Sequence, residues 1–398
     1  MDVEDARTIG RRLRQIRKSR KKSLVVIAGL AGMSKSQLDR IERGEVALDK
    51  LSEIVALANA LQIAPSDLMR LPVPAPANGH TDSTTEAVRL ALDAIDTDRP
   101  GGLALPVAVL RDQVAQIHQQ RRACQFTEVA TDLPVLIRNL HTTLAAGADH
   151  GELLELAVYL HVHVTRLWLF RVAAPTDLIR RTVFLAQRLA QQRDEVTTLG
   201  LAGFSMADTL LGGGAFELGR AVLDSLAVPP ATADTAGLVC QLTMLHAQAA
   251  VVEGRPGDVA TPMAAAAELA ERFGPTGADS LGLDNSPGEV GGRRMWLALE
   301  AGEPDQAVSV ARDVHPESHP FMSGRAHYWM HYGRALAQLQ GRRDDAVRAL
   351  RTAEDIFPIR VRRDPLVRDV IATLLPGTRR DAIGVELRGM AHRAGLPV

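Results

Sequence analysis

The chain has 398 residues, enough for two or more domains, and its charges nearly cancel to a formal net charge of −1. Two distant cysteines, Cys124 and Cys240, have no metal-ligand spacing, so they argue against a disulfide framework and fit a reducing compartment. We find no apolar run near the ~18 residues of a membrane-spanning helix and no secretory signal pattern. The sequence therefore predicts a cytoplasmic protein with no membrane partner.

The net charge conceals a strongly basic N-terminal segment. Between Arg7 and Arg43 we count 12 Lys or Arg residues and two acids, which leaves +10, so the remainder of the chain is acidic overall. A small basic segment on an acidic body is typical of a domain that docks on phosphates. The alternative is a basic face that is merely solvated.

The segment 23–44 predicts a helix, a tight glycine turn and a second helix. Gly32 lies where the first helix must stop and the chain must reverse. Ser34 follows as a helix N-cap, and Gln37, three residues later, completes a capping box. This is the layout of a helix-turn-helix, whose second helix enters the major groove of DNA.

The predicted helix-turn-helix domain ends near Leu71. The next stretch, 72–85, is rich in proline and polar residues and predicts an inter-domain linker. From Glu86 onward nearly every stretch has a helical pattern, without the sustained period of two that marks a strand. The sequence therefore predicts an all-α protein with an N-terminal domain over 1–71 and a helical domain over 86–398.

Glycine-containing breaks recur between the Ala- and Leu-rich helices of the second part. They contain Gly214, Gly254, Gly302 and Gly341, at spacings of 40, 48 and 39 residues. Because a pair of helices of this length cannot bury its apolar faces alone, stacking of the units predicts an α-solenoid. The longest interval holds a glycine-rich insertion, 274–292, and such a loop in a solenoid is typically functional or disordered.

Two parts of the chain resemble known families. Residues 7–71 resemble the Cro/CI-type (XRE) helix-turn-helix domain, a five-helix, lambda-repressor-like fold, through the segments IGRRLRQIR, IAGLAGMS, LDRIERGE and LANALQIAPSDLM. The second part resembles tetratricopeptide (TPR) repeats, since Ala307 and Ala346 each follow their glycine by five residues. Through RFGPTG, RRMWLALEAGEPDQAVSVA, ALRTAEDIFP and LRGMAHRAGL the whole chain resembles actinobacterial regulators that join both domains, a plan shared by peptide-responsive quorum-sensing regulators.

The first resemblance implies a recognition helix from about Lys35 to Arg43, with Leu38 and Ile41 packed inward. Lys35 and Arg40 can donate to guanine, and Asp39 can accept from cytosine N4. The implied DNA contacts, to base edges or to the phosphate backbone, come from seven residues: Ser34, Lys35, Ser36, Gln37, Asp39, Arg40 and Arg43. Gln37 contacts DNA only if its side chain is not held by the capping box.

Two further expectations concern the first two helices. The resemblance implies a partly buried ion pair between Arg17 and Glu42, and two separate surface charges are the alternative. Leu24 departs from the family, because a phosphate-binding Gln is usual there, and Val25 and Val26 follow where polar residues are usual. Either the helical domain or a dimer partner covers this apolar patch, or the patch is tolerated and one phosphate contact is missing.

Two clusters in the second part are candidate effector sites. The aromatic and histidine-rich segment 315–334 contributes His327, Tyr328 and His331, and the insertion contributes Asn285, Arg293, Arg294 and Trp296. Asn and Arg side chains suit the recognition of peptide amides and carboxylates. The alternatives are ordinary aromatic packing and a solvated loop. A metal pair formed by the two histidines lacks a third ligand and a HExxH glutamate, so we predict no metal and no other cofactor.

No catalytic constellation is evident. The glycines at 212–214 follow a helical pattern without a Gly-Lys-Ser/Thr, and we find no GxSxG or Cys-His arrangement, so we do not predict an enzyme. We predict a homodimeric regulator of transcription that binds double-stranded DNA at an inverted-repeat operator and responds to a peptide or small-molecule effector on the solenoid. The alternative is a TPR-type interaction adaptor with a degenerate helix-turn-helix, which only Leu24 favours.

Overall fold

The structure is a computed structural model that describes residues 8–71, 79–147, 149–229, 232, 235–273, 281–378 and 380–397. Within these ranges the protein is all-helical, as predicted, and contains no strand. The N-terminal part has five helices: α1 (Ile9–Ser19), α2 (Leu24–Leu30), α3 (Lys35–Glu42), α4 (Leu51–Leu61) and α5 (Pro65–Met69).

The turn between α2 and α3 forms as the sequence predicts, with one difference. Gly32 has a φ of +69°, a left-handed conformation that favours glycine, and the Ser34 hydroxyl accepts from the Gln37 backbone N–H at 3.1 Å. The Gln37 side chain does not return to Ser34, because its Nε2 donates to the Glu53 carboxylate on α4 at 3.1 Å. The predicted capping box is therefore only half formed, since a charged acceptor on a neighbouring helix holds its second member.

The second part of the chain is a succession of helices. Its first ten are α6 (Gly79–Asp96), α7 (Val107–Arg122), α8 (Phe126–Ala145), α9 (His150–Leu160), α10 (Arg166–Arg171), α11 (Thr176–Arg193), α12 (Val196–Gly212), α13 (Phe216–Asp224), α14 (Ala236–Val252) and α15 (Ala260–Phe273). The others are α16 (Pro287–Ala301), α17 (Pro304–Asp313), α18 (Met322–Ala337), α19 (Arg343–Ile356), α20 (Pro358–Arg363), α21 (Pro365–Leu374) and α22 (Ala382–Arg393). A π-helical turn, His161–Thr165, joins α9 to α10, and short 3₁₀ turns occupy Pro256–Asp258 and Pro316–Ser318.

The four predicted glycine breaks are the turns of four helical hairpins. Gly214, Gly254, Gly302 and Gly341 join α12 to α13, α14 to α15, α16 to α17 and α18 to α19, and each has a positive φ between +74° and +83°. The two helices of each hairpin pack together, and its first helix packs on the first helix of the next hairpin. Successive hairpins therefore stack with the period that the sequence repeat indicates.

Two predicted loops are partly helical. Helix α6 begins at Gly79, inside the predicted 72–85 linker, and the rest of that linker through residue 78 lies outside the described residues. Thr81 and Thr84 are buried one turn apart in α6, so this polar segment packs despite its composition. The predicted insertion 274–292 is also partly helical, because α16 begins at Pro287 after the N-cap Ser286. Residues 274–280 of the insertion lie outside the described residues.

One stretch of helix, 150–171, is long and apolar enough to cross a bilayer by length and composition alone, and 72% of its most apolar window is buried inside the protein. This stretch is a core element, and its apolar side chains belong to the largest hydrophobic cluster, which extends over α6 to α14. A second cluster joins the apolar residues of α1 to α5 to those of α18 to α22, so the N-terminal part shares a core with the C-terminal end of the chain.

Candidate nucleic-acid interface

The outer face of α3 is open to solvent. Leu38 and Ile41 are buried beneath the helix, as predicted, and pack in the core of the N-terminal part. Six of the seven residues predicted to contact DNA are exposed and the seventh, Asp39, is half-buried; the six are Ser34, Lys35, Ser36, Gln37, Arg40 and Arg43. The structure thus brings all seven predicted residues to one helix, its N-cap Ser34 and its C-cap Arg43.

The basic side chains of this face have acidic neighbours on the surface. Arg43 lies 3.3 Å from Asp39 and 3.3 Å from Glu45, and Arg40 lies 3.9 Å from Glu45. Exposed pairs of this kind contribute about 0–1 kcal/mol, so a phosphate or a guanine can replace the acidic partner at small cost. Lys35 forms no ion pair within the described part of the chain.

A buried ion pair fixes the C-terminal end of α3 to α1, as the sequence predicts. Arg17 Nε and Nη2 donate to the two carboxylate oxygens of Glu42 at 2.5 and 2.6 Å, and Arg17 Nη1 donates to the Lys22 carbonyl at 2.8 Å. Both charged side chains are buried, and the hydrogen bond with Glu42 raises the pKa of Arg17. A planar guanidinium bound to both oxygens holds the helix in one orientation.

The described residues of the helical body do not cover the apolar patch on α2. Leu24 is half-buried against the core of the N-terminal part, whereas Val25 and Val26 are 62% and 46% exposed. Leu30, on the same helix, is 66% exposed and enlarges the patch. The expectation that the helical domain of the same chain packs here is therefore wrong, and cover by a dimer partner stays a prediction.

The helical body instead contacts the N-terminal part elsewhere, through two carboxylates. Asp369 on α21 accepts from the backbone N–H of Ile9 at 2.7 Å and of Leu48 at 3.0 Å. Glu300 on α16 accepts from the backbone N–H groups of Leu51 and Ser52 at 2.9 and 2.7 Å. Because α1 and α4 begin at Ile9 and Leu51, each carboxylate binds the first amides of a helix, where no intrahelical partner exists.

A third contact is a buried ion pair between the two parts of the chain. Arg334 on α18 donates to Asp49 Oδ1 at 2.8 Å and to the Asp49 carbonyl at 3.0 Å, and Gln338 donates to Asp49 Oδ2 at 3.0 Å. Burial raises the pKa of Asp49 although Arg334 opposes the shift. All three body contacts reach α1, α4 and the segment before α4, which leaves the outer face of α3 free.

The predicted effector residues of the insertion are divided among several environments. Asn285 is buried and accepts from Gln241 at 3.1 Å. Trp296 packs at the border of two hydrophobic clusters. Arg294 donates to the Met263 carbonyl at 3.3 Å, and both residues line a groove between α15, α16 and α17. Arg293 lies 3.6 Å from Glu289 on the same helix.

The histidine-rich cluster divides by helix face. Tyr328 is buried and its hydroxyl donates to the Ala311 carbonyl at 2.8 Å, a packing contact. His327 and His331 lie one turn apart on another face of α18, with ring centroids 6.3 Å apart. Burial lowers the pKa of both imidazoles well below the ordinary value, with Arg171 adding to the shift at His327 and Arg334 at His331, so both rings are neutral.

A group of buried arginines that no sequence pattern indicates lies beside His327. Arg171 Nη1 lies 3.3 Å from His327 Nε2, and Arg166 donates to Asp208 at 2.8 Å. Arg121 is buried, and its side chain has no hydrogen bond or ion pair within the described residues. Burial lowers the pKa of Arg121 well below its ordinary value, and the neighbouring Arg171 contributes to this shift.

These arginines come from α7 and from α10, the helix that follows the π-helical turn. The histidines of the π-helical turn, His161 and His163, are both buried and have different neighbours. His161 Nε2 lies 2.9 Å from His141 Nε2, and His163 stacks on His118. Single-turn π segments are frequent at functional sites. No local pattern marks this group in the sequence, because its members lie up to 50 positions apart.

Comparisons with known proteins concern the N-terminal part. A family model described as a helix-turn-helix domain matches residues 8–71, which include all five of the first helices. No curated protein and no solved structure matches the chain. The match and the exposed basic face of α3 agree, so residues 8–71 are a helix-turn-helix DNA-binding domain, and DNA is a partner of this protein.

Proposed function

We propose that this protein is a cytoplasmic, homodimeric regulator of transcription that recognises an inverted-repeat operator, has no enzymatic activity and is controlled by an effector bound in its helical body. The observation that carries the proposal is the outer face of α3. It presents exposed polar and basic side chains in a helix-turn-helix domain, while the polar contacts with the body reach α1, α4 and the segment before α4.

A homodimer follows from the small size of the reading surface. One recognition helix contacts only a short half-site, and proteins of this type gain affinity by placing two such helices one DNA turn apart. The uncovered patch of Val25, Val26 and Leu30 supports this proposal, because exposed apolar side chains that lie together are typical of an interface.

The helical body is proposed to be a TPR-like solenoid with an anionic effector, either a small molecule or a peptide signal of the quorum-sensing kind. The stacked hairpins with glycine turns support the solenoid. Arg121 supports the charge of the effector, because its buried Nε has no acceptor among the described residues, which is costly, and a carboxylate or phosphate relieves that cost. His327, His331 and Arg293 belong to the same interior, since the charge of Arg171 lowers the pKa of His327 and the charge of Arg293 lowers that of His331.

Helix α18 connects this interior to the DNA-binding domain. Its residues His327, His331 and Arg334 are four and three positions apart and share one face. His327 contacts Arg171, His331 Nδ1 lies 3.2 Å from Arg334 Nη1, and Arg334 binds Asp49 of the DNA-binding domain. An effector that draws Arg171 away from His327 would thus act on the helix that holds Asp49, and effector and operator would change each other's affinity reciprocally.

The DNA-binding proposal is tested with the full-length protein and operator fragments selected from random DNA. We expect Lys35→Ala and Arg40→Ala each to weaken operator binding by about 1–3 kcal/mol, roughly five- to 150-fold, because each removes a contact to a base edge. The exposed Arg348 on α19 provides the control, and Arg348→Ala should bind as the parent does. A stoichiometry of two chains per operator supports the dimer, and an unchanged affinity of both α3 variants contradicts the proposal.

The effector proposal is tested by native mass spectrometry of the protein purified from its source. We expect a bound anionic molecule in the parent protein and at least about tenfold less of it in Arg121→Gln, which keeps a polar side chain but removes the charge. Arg188→Gln, an exposed change on α11, is the control. Equal loading of Arg121→Gln and the parent protein would contradict an anion site at this position.

The alternative of an interaction adaptor with a degenerate helix-turn-helix is not favoured. The family match covers all five helices of the domain, and the predicted DNA contacts share one open face. Leu24, the one residue that suggested degeneration, is half-buried against the core of the domain and therefore has a packing role.

A further inference from the structure

Three side chains with metal-ligating atoms converge where α16 and α18 begin. Asp284 precedes α16, Glu289 lies in the first turn of α16, and His319 lies in the loop before α18. One potential ligand atom from each residue lies within 4.8 Å of the other two. Nothing in the sequence marks this group, because its members do not have the spacing of a metal motif.

His319 is the most unusual member of the group. Its side chain is 99% buried, and neither ring nitrogen has a hydrogen-bond partner within the described residues. The ring lies between Gly292 and Gly324, and a Cβ atom at Gly324 would approach Nδ1 to 2.7 Å. Two helices thus leave room for an imidazole that binds nothing in the protein, and a buried polar group without a partner requires an explanation.

The two carboxylates are only partly satisfied by the protein. Asp284 Oδ1 accepts from the Ser286 backbone N–H at 3.2 Å, which leaves its second oxygen available. Glu289 lies 3.6 Å from Arg293, but Arg293 also donates to Gln248. Burial raises the pKa of Glu289 to about 7, and the negative charge of Asp284 adds to this rise. Two carboxylates held this close repel each other unless a cation lies between them.

A neutral imidazole is the form that binds metals. One imidazole nitrogen and two carboxylate oxygens are the donor set of zinc and manganese sites, whereas Ca²⁺ and Mg²⁺ prefer oxygen alone. Three protein ligands leave coordination positions that water can fill.

We propose that Asp284, Glu289 and His319 bind one divalent first-row transition-metal cation, such as Zn²⁺ or Mn²⁺. The cation joins the start of α16 to the loop before α18. These two helices also carry Glu300 and Arg334, the residues that hold the DNA-binding domain. The site stands independently of any effector or operator.

The proposal is tested on the full-length protein after treatment with a chelator. Isothermal titration with Zn²⁺ and Mn²⁺ should give one saturable site per chain, and Co²⁺ should produce a visible absorption band typical of a nitrogen- and oxygen-ligated ion. We expect Glu289→Gln and Asp284→Asn each to weaken binding at least about tenfold, since each removes a charged ligand with little change of shape. His319→Ala should abolish the site.

Glu271→Gln on α15 and His246→Ala on α14 are the matched controls, because both positions are exposed and distant in sequence from the site. Thermal unfolding of each variant in the presence of chelator shows whether a substitution removes only a metal-binding side chain or also destabilises the fold. If His319→Ala does not fold, the two carboxylate variants decide alone. The absence of a saturable site, or equal binding by the carboxylate variants and the controls, would overturn the proposal.

Discussion

At the scale of single residues, the orientation of the recognition helix depends on one buried ion pair. Arg17 binds both oxygens of Glu42 and also the Lys22 carbonyl, so one side chain connects α1, the turn after it and the end of α3. Leu38 and Ile41 fix the inner face of α3, and the pair fixes its C-terminal end. The exposed arginines near it, Arg40 and Arg43, have only weak surface partners and stay available for DNA.

We expect Glu42→Ala to lower the free energy of unfolding by about 3–5 kcal/mol, because it leaves the Arg17 guanidinium buried without its charged partner. Urea unfolding followed by circular dichroism measures the loss. Glu45→Ala is the matched control, since Glu45 is exposed three positions after α3 ends and its removal should change stability by less than about 0.5 kcal/mol. Equal stability of the two variants would mean that the buried pair is dispensable.

At the scale of helices, the helical body binds amides at the N-termini of α1 and α4 that the domain's own side chains leave without a partner. Lys50, which precedes α4, makes no side-chain cap, and Glu300 binds the first amides of α4 instead. The N-cap Thr8 accepts from the Arg11 backbone N–H in α1, and Asp369 binds the N–H of Ile9. The helical body therefore completes secondary structure in its neighbour, and the two parts stabilise each other.

This arrangement predicts a pH dependence. Burial raises the pKa of Asp369 to about 7, so the folded protein holds this proton more tightly than the unfolded chain, in which the group titrates near 3.8. Between these two pKa values the folded state binds more protons than the unfolded state, so the stability of the protein falls as pH rises from about 4 to about 7. Asp369 contributes at most about 1.4 kcal/mol per pH unit to this fall. Above about pH 7 this contribution is constant.

Urea unfolding of Asp369→Asn across this range tests the prediction, because the variant lacks the titrating group and should show a shallower decline than the parent protein. Asp49 contributes in the same direction, since burial also raises its pKa, so a residual slope remains. Asp355→Asn, an exposed change on α19, is the control and should keep the parent profile. Identical slopes for Asp369→Asn and the parent would contradict the assignment.

At the scale of the whole molecule, the DNA-binding domain and the C-terminal helices form one hydrophobic core. The apolar residues of α1 to α5 are continuous with those of α18 to α22, and the Arg334–Asp49 ion pair lies between the two sets. A domain attached in this way cannot reorient freely on a linker. Helices α16, α18 and α21 contact α1, α4 and the segment before α4 directly.

We expect Arg334→Met to weaken this junction, because it leaves the Asp49 carboxylate buried with Gln338 as its remaining side-chain partner. Hydrogen exchange measured by mass spectrometry should show faster exchange over residues 45–56 while α10 to α12 keep their protection. The double variant Asp49→Asn with Arg334→Met should recover part of the loss, since no charge remains buried there. Arg348→Met provides the exposed control, and unchanged exchange in Arg334→Met would contradict a junction held by this pair.

The sequence by itself determined the features that depend on neighbouring residues. Gly32 and the N-cap Ser34 define the turn, Leu38 and Ile41 define the buried edge of α3, and the recurring glycines mark the hairpin turns. The Arg17–Glu42 pair was also predictable, through the resemblance of the domain to a known family. These signals survive in a single sequence because turn geometry, capping and helix periodicity act over a few positions.

Only the tertiary structure decided which distant groups meet. Glu300 and Asp369 lie 248 or more positions from the amides they bind. The group formed by Asp284, Glu289 and His319 likewise has no sequence motif. The capping-box prediction failed for the same reason, since Gln37 found a carboxylate on another helix. Burial makes such partners necessary, because a polar group removed from water must bind another group, and only packing determines which groups come within reach.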